Sequence, residues 1–159
     1  MKISNRVVPN MTKMKSISDP KELGNILGLQ LVQLDQITLN PNKYYYPVDR
    51  YNAHKNKWRH IDKPRKILKE AQKAILQSFF EKIHYPEYFY SGVKKRSHIS
   101  AAKKHVGKYE VLTMDIKDFF PSVRHTQVHK FFLENTQNDA IATILTKLTT
   151  LNGHIPQGA

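Results

Sequence analysis

Apolar residues recur along the chain at spacings that alternate between helix and strand. Leu23, Ile26, Leu27, Leu31 and Leu34 fall at helical intervals interrupted by Gly28, which predicts two short helices ending near Leu39. Ser18-Asp19-Pro20 supplies the start, a capping side chain followed by a proline whose missing N–H costs nothing there. Asn40-Pro41-Asn42 reads as a turn. Lys43 to Val48 and Lys57 to Ile61 then read as a hairpin across the polar loop Asp49 to Asn56. Pro64 is expected to open the longest helix, with Ile67, Leu68, Ala71, Ala74, Ile75, Phe79 and Ile83 on one stripe. Val111 to Met114 reads as a short buried strand, and two more helices are expected over Thr126 to Asn135 and Asp139 to Leu148. The fold class is α+β.

Charge changes this picture most. With 26 Lys and Arg against 13 acidic residues the net charge is +13, which favours a polyanionic partner. No apolar run reaches the roughly 18–20 residues of a membrane span, and the first twenty residues lack a signal peptide's apolar stretch. A cytoplasmic protein with no membrane partner is expected. Cysteine is absent, so disulfides and thiolate chemistry are excluded. Residues 1–17 read as a basic arm.

From Tyr88 to Tyr109 there is no acidic residue, while Lys94, Lys95, Arg96, Lys103, Lys104 and Lys108 are all present. Tyr88, Phe89, Tyr90 and Tyr109 interleave with these cations, as in single-strand binders that stack bases on rings. A solvated surface over buried tyrosines is the competing view. His98 and His105 suit phosphate contact or plain exposure better than metal ligation.

The segment MDIKDFFPSV, Met114 to Val123, carries the densest chemistry. An apolar strand delivers Asp115 to the lip of a sheet, where a carboxylate reaches a hard cation such as Mg2+. Asp118, three residues on, shares that site if the turn is helical, or else one of the two caps the helix that follows. Lys57 and Arg59 alternate on their strand and so point to one face. That suits a triphosphate, and equally a solvated strand face.

DIKDFFPSV resembles the reverse-transcriptase motif that holds the first catalytic aspartate, and IPQG (Ile155 to Gly158) resembles the next motif downstream. NKWRHIDKP (Asn56 to Pro64) resembles the family's basic fingers motif. Within YSGVKKRSHISAAKKH, the run Ala101 to His105 resembles the Asn-Ala-x-x-His element of bacterial retron enzymes, with Ala101 in the asparagine's place. The resemblance covers Leu23 to Ala159 in order.

It implies an incomplete right-hand polymerase, with helical and hairpin fingers over 18–108 and the first part of the palm over 109–159. Asp115 and the Ile116 carbonyl would ligate Mg2+ in a two-metal site of the kind whose ions lie about 3.5–4 Å apart. Lys57, Arg59, Asp118, Phe119, Phe120, Gln157 and Gly158 would surround the dNTP. Asp118 and Phe119 would offer backbone N–H groups, Phe120 would act as the sugar gate, and Gly158 would allow close backbone approach. Ordinary core packing is the other account of both phenylalanines. Lys94, Lys95, Arg96, Lys103, Lys104, His105 and Lys108 would face a structured RNA template or primer and the RNA–DNA hybrid.

The family's Tyr-x-Asp-Asp turn lies beyond the PQG motif and outside these 159 residues, so the chain alone is expected to be inactive as a polymerase. A non-catalytic RNA-binding module or a degenerate remnant are the alternatives. If the basic stretch contacts single-stranded RNA, log affinity falls with log salt by roughly 0.7 per phosphate neutralised. A flat salt titration counts against RNA binding.

Overall fold

The computed structural model describes residues 17–53, 56–81, 83 and 85–157. Residues 1–16 of the expected arm, and Gly158, lie outside them. The described chain forms two compact units that are discontinuous in sequence: residues 17–81 with 118–157, and residues 83–117.

In the larger unit, α1 (Pro20–Leu27) starts as its sequence dictates. The Asp19 carboxylate accepts from the Glu22 N–H at 2.9 Å, which holds its pKa below the ordinary value. Gly28, at φ 69°, closes the helix in the left-handed region that glycine enters freely. α2 (Leu31–Leu39) follows, and a 3-10 turn over Pro41–Tyr44 leads into the sheet. The sheet is one antiparallel pair, β1 (Tyr45–Asn52) and β2 (Lys57–Pro64). Its connection is shorter than the loop expected, because pairing runs out to Asn52↔Lys57.

Pro64 does not open the next helix. It still pairs with Tyr45, and the Arg65 N–H donates to the Tyr44 carbonyl at 2.7 Å. α3 (Lys66–Ile75) therefore starts two residues later, and it widens into a π-turn over Leu76–Phe80. This places Phe79 in the core and Phe80 against Phe131, with ring centroids 5.8 Å apart. α6 (His125–Thr136) and α7 (Asp139–Thr149) pack on one another, after a short α5 (Phe119–Ser122). The remaining label, α4, belongs to His98–Lys103 in the smaller unit.

Leu23, Leu34, Ile37, Leu68, Ile141, Leu145 and Leu148 are fully buried where α1, α2, α3 and α7 meet. Ile17 joins them, so the last residue of the expected arm is anchored. Its carbonyl accepts from Asn138 Nδ2, and the same asparagine caps α7 through Oδ1. Buried Thr136, Thr146 and Thr150 each donate to the carbonyl four residues back. Among the described residues no buried side-chain polar atom lacks a partner.

One expected element is corrected. Val111 to Met114 is not a buried strand: it makes no ladder, and Leu112 and Met114 are more than four-fifths exposed. A strand exists only as one side of a pair, and no described segment pairs with this one. Among the described residues no helix is long and apolar enough to cross a membrane.

Leu145→Ala leaves a cavity in the middle of the helical core. A loss of about 2–5 kcal/mol is expected, read as a lower urea midpoint at unchanged slope.

Candidate functional site

The hairpin register determines which side chains share a face. Arg50 is opposite Arg59, Asn52 opposite Lys57, Val48 opposite Ile61 and Tyr46 opposite Lys63. Directly opposed residues project to the same side, so Arg50, Lys57, Arg59 and Lys63 form one cationic face. Sequence spacing found Lys57 and Arg59 but missed Arg50, which only cross-strand register reveals.

The acidic residues of the ribbon lie on the other face. His60 Nδ1 is 2.8 Å from Asp49 Oδ1, and His60 Nε2 is 3.6 Å from Asp62 Oδ1. Tyr51 and Trp58 pack beside them, ring centroids 5.2 Å apart, with Trp58 65% exposed. Among the described residues neither Arg50 nor Arg59 has an ion-pair partner. Like charges directly opposite one another repel, so this face is stabilised by any bound polyanion.

Two other motif segments are tied to this ribbon in the same unit. The Asp62 N–H donates to the Gln157 carbonyl at 3.2 Å, and the Ile155 N–H to the Val123 carbonyl at 3.1 Å. Pro156 between them is fully buried, while Gln157 is exposed. The Ile155–Gln157 segment thus joins the ribbon to the turn that carries α5.

At that turn Asp118 stands at the helix start with φ 51°, and its side chain makes no capping bond. Capping by Asp118 is therefore not its role here. Phe119 and Phe120 are 48% and 39% exposed and pack edge to face, centroids 5.5 Å apart. Ordinary core packing does not account for them.

Asp115 and Ile116 belong to the smaller unit and are exposed in a segment that is neither helix nor strand. Among the described residues no three His, Asp or Glu side chains group as metal ligands. One carboxylate and one carbonyl are the right donor type for Mg2+ but too few to hold two ions. The described residues do not by themselves make that centre.

In the basic stretch, Lys94, Lys95, Lys103, Lys104, His105 and Lys108 are exposed. Tyr88 is 72% exposed and Tyr109 wholly so, against the view of tyrosines buried beneath a charged surface. Arg96 differs from its neighbours. Its guanidinium donates to the carbonyls of Tyr85, Pro86 and Phe89, so it staples the loop that precedes it.

Histidine 60 gives a pH-dependent reporter of the ribbon. The hydrogen bond to Asp49 holds its pKa above the ordinary 6.5. A raised imidazole contributes stability in full below the unfolded value and loses it as pH rises through the folded one. Asp49→Asn is expected to bring the His60 ring titration down toward that ordinary value, followed by NMR.

No protein-family model matches the chain. It is 34% identical over 137 residues to the Retron Se72 reverse transcriptase of Salmonella heidelberg, covering 86% of this chain and 36% of that protein. It is 30% identical over 114 residues to the Retron Ec86 reverse transcriptase of Escherichia coli, covering 72% of this chain and 35% of that one. The Retron Mx162 reverse transcriptase of Myxococcus xanthus matches at 32% over 92 residues, 58% of this chain and 19% of that protein. The chain thus spans about a third of the length of the first two relatives. On this likeness the chain belongs to the retron-type reverse transcriptases.

Proposed function

We propose that the chain supplies the nucleotide-holding fingers and the opening of the palm to an RNA-directed DNA polymerase. The observation that carries this is the joining of three segments in one unit. The ribbon with Lys57 and Arg59, the Phe119-Phe120 turn and the Ile155–Gln157 segment are linked by the Asp62–Gln157 and Val123–Ile155 hydrogen bonds. Cations from two strands suit the oxygens of a dNTP triphosphate, the arginines as forks and the lysines as point charges. Arg50 adds to Lys57 and Arg59 in this role. Exposed Phe120 beside the turn fits a ring set against the sugar, where it would exclude a 2′-hydroxyl. Gln157 and Gly158 would meet the nucleotide or the template base. Asp118 and Phe119 would offer backbone N–H groups to the phosphates.

The partition into fingers (18–108) and partial palm (109–159) belongs to this reading, as does a cytoplasmic site of action. Asp115 and the Ile116 carbonyl would be its contribution to a two-Mg2+ centre, which needs further carboxylates to hold its ions. Structured RNA and the RNA–DNA hybrid would lie on Lys94, Lys95, Lys103, Lys104, His105 and Lys108. Arg96 adds its charge there while holding the loop.

A second reading rests on a different observation. The basic segment is a compact unit of its own, which an RNA-binding module without catalysis would require.

The two readings part on nucleotide binding. Titration of the 159-residue chain with a fluorescent dNTP should show saturable binding, weakened about tenfold or more by Lys57→Ala with Arg59→Ala. Binding indifferent to both substitutions contradicts the polymerase reading and leaves the RNA-binding module. These 159 residues alone are expected to add no dNTP to a primed RNA template. Metal-dependent extension by them would show that the donor set is complete after all.

A further inference from the structure

The smaller unit holds a cavity beside Lys104 and His105 of the basic stretch. Its volume is about 690 Å3, and Glu87, Tyr88, Tyr90, Ala101, Lys104 and His105 line it. That lies within the roughly 300–1,000 Å3 of small-ligand pockets, with room for a nucleoside.

Both segments that line it are held in place. The loop bearing Glu87, Tyr88 and Tyr90 is fixed by the Arg96 staple and by stacking of Tyr85 on Phe89, centroids 5.2 Å apart at 14°. The other lining segment is α4 and its continuation. Ser97 caps that helix, accepting from the Ser100 N–H at 3.1 Å. Turns then run on through Lys104 N–H to the Ala101 carbonyl and His105 N–H to the Ala102 carbonyl. Ala101, Lys104 and His105 are spaced i, i+3 and i+4, which puts them on one face. Ala101 adds only a methyl group to the lining, and an asparagine there would be bulkier.

Glu87 gives the cavity its selectivity. Among the described residues its carboxylate makes no hydrogen bond or ion pair, although Lys104 lines the same space. An ionised carboxylate presents two adjacent acceptors and no donor. Of the four RNA bases, only guanine has two neighbouring N–H donors, at N1 and N2, on its Watson–Crick edge. Adenine and cytosine set one amino group beside a ring acceptor, and uracil sets one N–H between two carbonyls. Single-stranded RNA is recognised by splaying bases onto aromatic rings and reading that edge.

We propose that this cavity takes one unpaired guanine of single-stranded RNA. Its Watson–Crick edge meets Glu87, its face lies on the tyrosine rings, and its phosphate is met by Lys104 and His105. The inference rests on reading the basic stretch as an RNA surface, and it is independent of polymerisation.

Fluorescence anisotropy with the 159-residue chain and labelled RNA 11-mers tests it. An oligoadenylate carrying one central guanine should bind roughly tenfold tighter than oligoadenylate alone, as expected for one bidentate base contact. Replacing that guanine by cytosine should remove the gain. Glu87→Gln should abolish the preference for the guanine-bearing oligonucleotide, and Ala101→Asn should abolish it by adding bulk to the lining. Equal affinity of the wild-type chain for all three oligonucleotides, or a preference that survives Glu87→Gln, overturns the proposal. If the chain binds RNA without preference, the guanine pocket falls alone. If it binds no RNA, the RNA surface falls with it. The dNTP titration on Lys57 and Arg59 stands apart from both outcomes.

Discussion

From its side-chain nitrogen Gln72 donates both to the Tyr45 hydroxyl and to the Leu148 carbonyl, 2.9 Å each. This amide joins α3 to the base of the ribbon on one side and to the end of α7 on the other. A two-stranded hairpin is at best marginally stable in water, so its base must be fixed by something else. Here Tyr45 and its partner Pro64 are buried, and burial pushes the tyrosine phenol up to about 12, so it stays a neutral hydroxyl. Away from that base the ribbon's residues are exposed or half-exposed.

That exposure lets the two faces differ in charge. Strand alternation and register put Asp49 and Asp62 beside His60 on one side, and the cations from both strands on the other. Were the acids instead beside Arg50 and Arg59, the ribbon would neutralise itself and have little attraction for phosphate. The repulsion between opposed arginines is a modest local cost, of the order of the 0.2–1 kcal/mol assigned to cross-strand pairs. Such a cost persists where the surrounding structure holds the strands together, as the buried base does here.

Much of this was legible from residue spacing. The start of α1 at Asp19-Pro20, the break at Gly28, α6, α7 and the hairpin all follow from local signals: caps, a left-handed glycine and apolar periodicity. What sequence alone misplaced depends on partners. Val111 to Met114 has strand composition, but no described segment pairs with it. Arg50 gains its meaning only from lying across from Arg59, and Arg96 only from three carbonyls seven to eleven residues away. The site was legible in its residue types and order, whereas its supporting contacts were not.

The backbone at Asp118 restricts which residues can stand there. A φ of 51° favours glycine, asparagine or aspartate, and a β-branched residue there would force the chain out of its turn. The negative charge is a separate property of the side chain, which that backbone conformation does not require. Asparagine keeps the shape and removes the charge, and glycine keeps the shape and removes the side chain altogether. Position 118 therefore lets architecture and electrostatics be varied one at a time, a separation that few residues at the start of a helix permit.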